Sequence, residues 1–185
     1  MKRNKTLKTV LALSLMASVM TSCSSDDDTP EVVNEEEIIT TMNVTLLSAD
    51  GSTILLQSQD LDGDGPDAPV ITVENLTANT TYAGSIELLN ETETPAEDIT
   101  EEVSEESNEH QFFFEVSGSI VSTTYSDEDS DGNPIGISFV LVTGDSGDGT
   151  IQITLRHEPT KPNDGTLADA GGETDISQTF SVVVE

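Results

Sequence analysis

Apolar residues that recur at every second position constrain this chain more than any other feature. Met42, Val44 and Leu46 alternate with polar neighbours, as do Tyr82, Ile86 and Leu88, Ile151, Ile153 and Leu155, and Phe180, Val182 and Val184. A period of two sends successive side chains to opposite faces of an extended strand, so each run has one face to bury and one to show to water. Runs of this kind cover 38–46, 54–56, 70–73, 82–88, 111–116, 119–125, 136–142, 150–156 and 177–184, with Ile38 read as the first residue of the first apolar face. Turn residues such as Ala49-Asp50-Gly51-Ser52 separate them. Many short strands at this spacing predict an all-β fold: an antiparallel β-sandwich, Ig-like or related, or alternatively an antiparallel β-barrel.

Charge decides what such a domain can meet. The chain of 185 residues holds 36 acidic and 6 basic side chains. Four of the basic ones (Lys2, Arg3, Lys5 and Lys8) lie at the extreme N-terminus, which leaves Arg156 and Lys161 for the remainder. Strong net charge with low hydrophobicity usually marks disorder. Here the apolar residues are gathered into alternating runs, which argues for a folded acidic domain. Such a surface repels phosphate backbones, which excludes nucleic acid as a partner, and it favours cations. One cysteine allows no internal disulfide, and the absence of Trp argues against an aromatic sugar-binding platform.

A single helix interrupts the strands. Thr94-Pro95-Ala96-Glu97 has the form of a capping box with Pro at the first helical position. Ile99 and Val103, four apart, share a face, and most of the remaining residues through Glu109 are acidic. The expectation is one or two turns packed over an open edge or end of the sandwich. His110, next in the chain, is placed to cap the helix C-terminus.

The N-terminus reads as an address. A basic stretch (1–8) precedes an apolar run (9–20) that is too short to span a bilayer and suits a signal peptide. Met20-Thr21-Ser22-Cys23 then resembles a lipobox, with cleavage before Cys23 and lipid on its thiol. Each buried methylene of such a lipid adds about 0.8 kcal/mol of membrane affinity. Ser25, Asp26, Asp27 and Asp28 resemble the surface-export signal of Bacteroidota lipoproteins. The organisation expected is a signal peptide (1–22), an acidic flexible tether (23–37) and a sandwich domain (38–185), lipid-anchored on the outer membrane and exposed at the cell surface.

Two loops carry candidate metal chemistry. Asp60-Leu61-Asp62-Gly63-Asp64-Gly65 and Asp127-Glu128-Asp129-Ser130-Asp131-Gly132 both read D-x-D-x-D-G after a predicted strand. Alternate carboxylates converging on a hard cation, with Gly at the sixth position, are the elements of a calcium loop. Position twelve is Ile71 in one and Ser138 in the other, so neither has the bidentate Glu, and binding is expected to be weak. Tight turns use the same residues without metal. His157-Glu158 ends a predicted strand, and no second His or Cys lies near it in sequence to complete a transition-metal set. Nucleophile elbows, phosphate loops and zinc motifs are absent, so the sequence argues against an enzyme.

The stretches DLDGDGPDAPV (60–70), LTANTTYAGSIELLNETETPAEDITEEV (76–103), EHQFFF (109–114), LRHEPTKPNDG (155–165) and DAGGETDI (169–176) resemble a family of small flavobacterial lipoproteins of unknown function. Its members are sometimes labelled type 1 periplasmic-binding domain proteins, a label that implies two α/β lobes, whereas the alternation in this chain implies strands throughout. The resemblance implies no catalytic residues. The function expected is a lipid-anchored, non-enzymatic binding or adhesion module with candidate calcium loops and a protein or glycan partner. The alternatives are an accessory subunit of an outer-membrane uptake or assembly complex and, third, a calcium-dependent hydrolase working around His157.

Overall fold

The alternating runs become two antiparallel sheets. The computed structural model describes residues 37–63 and 65–185. One sheet contains β1 (Thr41–Ser48), β2 (Thr53–Gln59), β3 (Val70–Val73), β4 (Thr81–Asn90), the two-residue β5 (Glu97–Asp98), β7 (Ile120–Tyr125) and β8 (Ser138–Thr143). The other contains β6 (His110–Gly118), β9 (Gly147–His157) and β10 (Glu173–Val184). Among the described residues a single helix, α1 (Ile99–Glu105), sits between β5 and β6. Neither sheet closes on itself, so the fold is a sandwich and the barrel alternative is set aside. Every predicted strand is present; β5, too short to show a period, is the addition.

The larger sheet runs β3-β2-β1-β4-β8-β7, and the smaller β10-β9-β6. The order β3-β2-β1-β4 is a Greek key: three strands joined in succession, with the fourth returning beside the first. The returning segment crosses to the other sheet, where Leu76 forms a parallel bridge with Val184 at the end of β10. Between the sheets lie Met42, Val44 and Leu46 of β1, Ile86 and Leu88 of β4, Ile151, Ile153 and Leu155 of β9, and Phe180, Val182 and Val184 of β10, all buried. Each fully buried Leu, Ile or Phe contributes about 1.5–3 kcal/mol. Gly84 of β4 makes room for one of them. It pairs with Phe139 of β8, and a Cβ placed on it would come within 2.5 Å of the Phe139 ring.

Two expectations are corrected. Ile38 is 60% exposed. It precedes the first paired residue of β1, so no ladder holds it on the inner face. The helix does not begin at Thr94-Pro95. Its N-cap is Asp98, whose carboxylate accepts from Thr100 N–H. The reason lies in β4, whose partner β8 reaches only Thr81 to Ser85. Beyond that point other groups fill the open edge: Ile86 N–H donates to the Ile137 carbonyl, Leu88 N–H to Thr100 Oγ1 (2.7 Å), and Glu97-Asp98 pair with Asn90 and Leu89. Residues 97 and 98 are therefore spent as strand before the helix starts. The helix does cover the edge, burying Ile99 and Val103.

Candidate functional site

At one end of the smaller sheet the inner face changes from apolar to ionisable. In β6 the inward residues run Val116, Phe114, Phe112, His110, and in β9 they run Ile151, Ile153, Leu155, His157. Antiparallel pairing sets the start of one strand against the end of the other, so His110 lies directly opposite His157. These are the two histidines of the chain. Their rings stack with centroids 4.6 Å apart and planes 29° off parallel.

Two carboxylates close on the pair. Asp175 comes from β10, where the register with β9 shifts between Thr174 and Ile176 and leaves Asp175 as the extra residue of a bulge. A bulge re-aims a side chain that regular pleating would send elsewhere. Here it carries Asp175 Oδ2 to 4.0 Å from His110 Nε2. Glu37 arrives from the segment leading into β1, with Oε1 3.5 Å from the same nitrogen. The His110 side chain is fully buried, and those of Glu37 and Asp175 are 9% and 6% exposed.

The electrostatics follow from this packing. Burial lowers the His110 pKa below its ordinary value, and neighbouring His157 adds to the effect, against the opposing hydrogen bond to Glu106. Burial likewise pushes Glu37 up to about 7, helped by the like charges of Glu102, Asp175 and Glu106. His110 Nδ1 lies 3.2 Å from the carbonyl oxygen of Glu106, the C-cap of α1. A carbonyl only accepts, so the proton of the neutral ring sits on Nδ1 and Nε2 presents a lone pair. His110 thus caps the helix, as expected, but with only one of its two nitrogens.

Beside this cluster runs a cleft of about 670 Å³ between the edges of the two sheets. Glu37 and Asp175 line it, together with Asp60, Asp62, Thr92 and Gln178. Ser58 Oγ donates to Gln178 Oε1 (2.9 Å) across it and ties β2 to β10. Ile38 and Leu61, also part of its lining, are 60% and 56% exposed. Asp60 has its pKa raised by burial and by the hydrogen bond and charge of Asp62. Asp64 lies outside the described residues, as do Cys23, Ser25, Asp26, Asp27 and Asp28.

The second acidic loop is organised differently. Asp127 accepts from Gly136 N–H and Ser138 N–H, each at 2.7 Å. Asp129 Oδ1 accepts from the backbone N–H groups of Asp131 (3.0 Å) and Asn133 (2.8 Å), and its Oδ2 from Lys161 Nζ (3.0 Å). The same ammonium donates to the carbonyls of Ser107 and His110. Burial alone would raise the Asp129 pKa, but the bonds from Asn133, Lys161 and Asp131 hold it below the ordinary carboxylate value. An ammonium group and four amides thus occupy two of the three carboxylates in this loop, and Asp131 is exposed. The other cation outside the N-terminal stretch, Arg156, donates to the carbonyls of Gly171 and Gly172 and to Thr174 Oγ1, fastening the loop that leads into β10.

In the sequence His157 stands without a second His or Cys nearby and Asp175 is one of several acids in the loop that follows it, while nothing there marks Glu37. A positional signal was available for the pair: His110 immediately precedes one predicted strand and His157 immediately follows another. Comparison with protein-family models, curated proteins and solved structures gives no match for this chain.

Proposed function

We propose that this protein is a non-enzymatic binding module, lipid-anchored through Cys23 on the outer face of a bacterial outer membrane, which receives a cationic, partly apolar segment of a partner protein in the cleft between its sheets. The observation that carries this reading is the lining of that cleft. Four carboxylates (Asp60, Asp62, Glu37 and Asp175) stand beside the exposed apolar side chains of Ile38 and Leu61. Carboxylates gathered in a concave, low-dielectric wall focus a negative potential and draw positive groups to it. Apolar groups at the same mouth supply the area that electrostatics alone does not. Calcium belongs to this reading at the first loop, where Asp60 and Asp62 crowd one another and a shared cation would relieve their repulsion.

The test is binding of the full chain, purified in detergent, to a basic amphipathic peptide and to its charge-reversed counterpart, across a salt series with and without millimolar calcium. Preference for the basic peptide, weakening as salt rises, is the expected result, with loss in the double variant D60N/D62N and in L61D. Equal binding of both peptides would end the cleft reading. The anchor is tested separately: the variant C23S should partition into buffer, whereas the parent should partition into detergent.

A further inference from the structure

The histidine cluster shares Glu37 and Asp175 with the cleft, but its buried histidine nitrogen is a feature that the cleft reading does not use. His110 Nε2 is buried and has no hydrogen-bond partner, and Glu37 Oε2 beside it is likewise buried and unpartnered. A buried polar atom left in this state keeps an uncompensated desolvation penalty. The Nε2 lone pair faces carboxyl oxygens of Glu37 and Asp175, at 3.5 and 4.0 Å. A ligand that accepts the Nε2 lone pair would satisfy that nitrogen.

We propose that His110, His157, Asp175 and Glu37 form a binding site for a divalent transition-metal ion of the zinc type. One ligand atom from each of His110, His157 and Asp175 lies within 4.8 Å of the other two. Four ligands at about 2.0–2.1 Å from a tetrahedral zinc stand roughly 3.3 Å from one another. The distances of 3.5 and 4.0 Å from Nε2 to the two carboxylates are a few tenths of an ångström longer than this, Glu37 joining through its approach to His110, and the His157 nitrogen, within 4.8 Å of its neighbours, closes by a rotation of its ring.

Three further observations point the same way. The outer nitrogen of His110 is held by the Glu106 carbonyl, the arrangement that fixes the tautomer and orientation of a metal-ligating imidazole. The bulge in β10 interrupts the ladder at Asp175 and brings its carboxylate toward the histidines. The four residues also converge from separate parts of the fold: β6, β9, β10 and the segment entering β1. A bound ion would therefore clasp residue 37 of one sheet's leading segment to the end of the other sheet. Imidazole ligands select zinc, cobalt or nickel, whereas calcium takes oxygen alone, so this site is distinct in chemistry from the Asp60–Asp62 loop. It stands whether or not the cleft binds a peptide.

The experiment uses the full chain in detergent, freed of metal by chelator and titrated with zinc alone, with cobalt as a spectroscopic substitute. Expected are one equivalent of zinc per chain, a rise in melting temperature, and a visible cobalt spectrum of the intensity that four-coordinate sites give. His110→Gln alters a fully buried position, so the decision rests on Asp175→Asn and Glu37→Gln, which preserve shape. Both should weaken zinc binding at least tenfold while the metal-free variants keep the parent's folded far-ultraviolet spectrum, and D60N/D62N should leave zinc binding intact. Absence of zinc binding at tens of micromolar would overturn the proposal, as would equal binding by all variants or displacement of cobalt by equimolar calcium.

Discussion

Lys161→Met offers the most direct test of how this acidic domain is held together. The Lys161 side chain is 7% exposed and that of its partner Asp129 is fully buried. The substitution keeps the aliphatic stem and removes the ammonium, with its bonds to Asp129, Ser107 and His110. Breaking a buried ion pair from one side costs about 3–5 kcal/mol, because the remaining charge has no counterpart. The amides of Asp131 and Asn133 still bind Asp129 and soften that loss. The two orphaned carbonyls add about 1 kcal/mol each where water does not reach them. The net expectation is a loss of about 3–4 kcal/mol at pH 7, read from urea unfolding followed by far-ultraviolet circular dichroism. Asp129→Asn in the Lys161→Met background should then cost less than it does alone, giving a coupling energy above about 1 kcal/mol. A loss below about 1 kcal/mol for Lys161→Met, or additive effects of the two changes, would show that the pair is not what fixes the loop.

Acid should act through the same carboxylate. The folded-state pKa of Asp129 is lowered, so its contribution is present above the ordinary carboxylate range and is lost as pH falls through the folded value; the gap between parent and Lys161→Met should therefore narrow toward pH 3 in the same urea assay. Glu37 works in the opposite direction. Its pKa is raised to about 7, so the metal-free chain should lose roughly 1–2 kcal/mol between pH 5 and pH 8, after allowance for screening at the cleft mouth, and Glu37→Gln should flatten that slope. Gly84→Ala should cost about 2–4 kcal/mol, since the new methyl takes the space of the Phe139 ring; a melting temperature within a degree or two of the parent would contradict the close packing described for that pair. Thr100→Val should cost about 1–2 kcal/mol by leaving Leu88 N–H without its acceptor, and hydrogen exchange at Leu88 should quicken accordingly.

How much of this was legible in advance depends on the range of the interaction. The period of two in Ile151-Ile153-Leu155 or Phe180-Val182-Val184 identifies a strand because pleating is a property of the local backbone, and those residues are buried as the pattern requires. Ile99 and Val103 identified the helix for the same kind of reason, but its start did not follow from the capping-box string. Residues 97 and 98 answer to an open edge on β4, and which edge is left open is a matter of strand order. Ile38 continued a pattern past the point where pairing enforces it.

The sequence by itself determined the class of fold, the acidic character of the surface and the scarcity of cations, since all three follow from residue identity and local spacing. Tertiary structure alone decided where those cations go and which ionisable groups meet. Lys161 reaches Asp129 across 32 residues of chain. His110 meets His157 because β6 and β9 pair directly, although β7 and β8 lie between them in sequence. Asp175 turns inward through a single extra residue in β10. Pairing, register and bulge position are set by the balance of the whole packed core, a sum over many distant contacts that no short window of sequence contains.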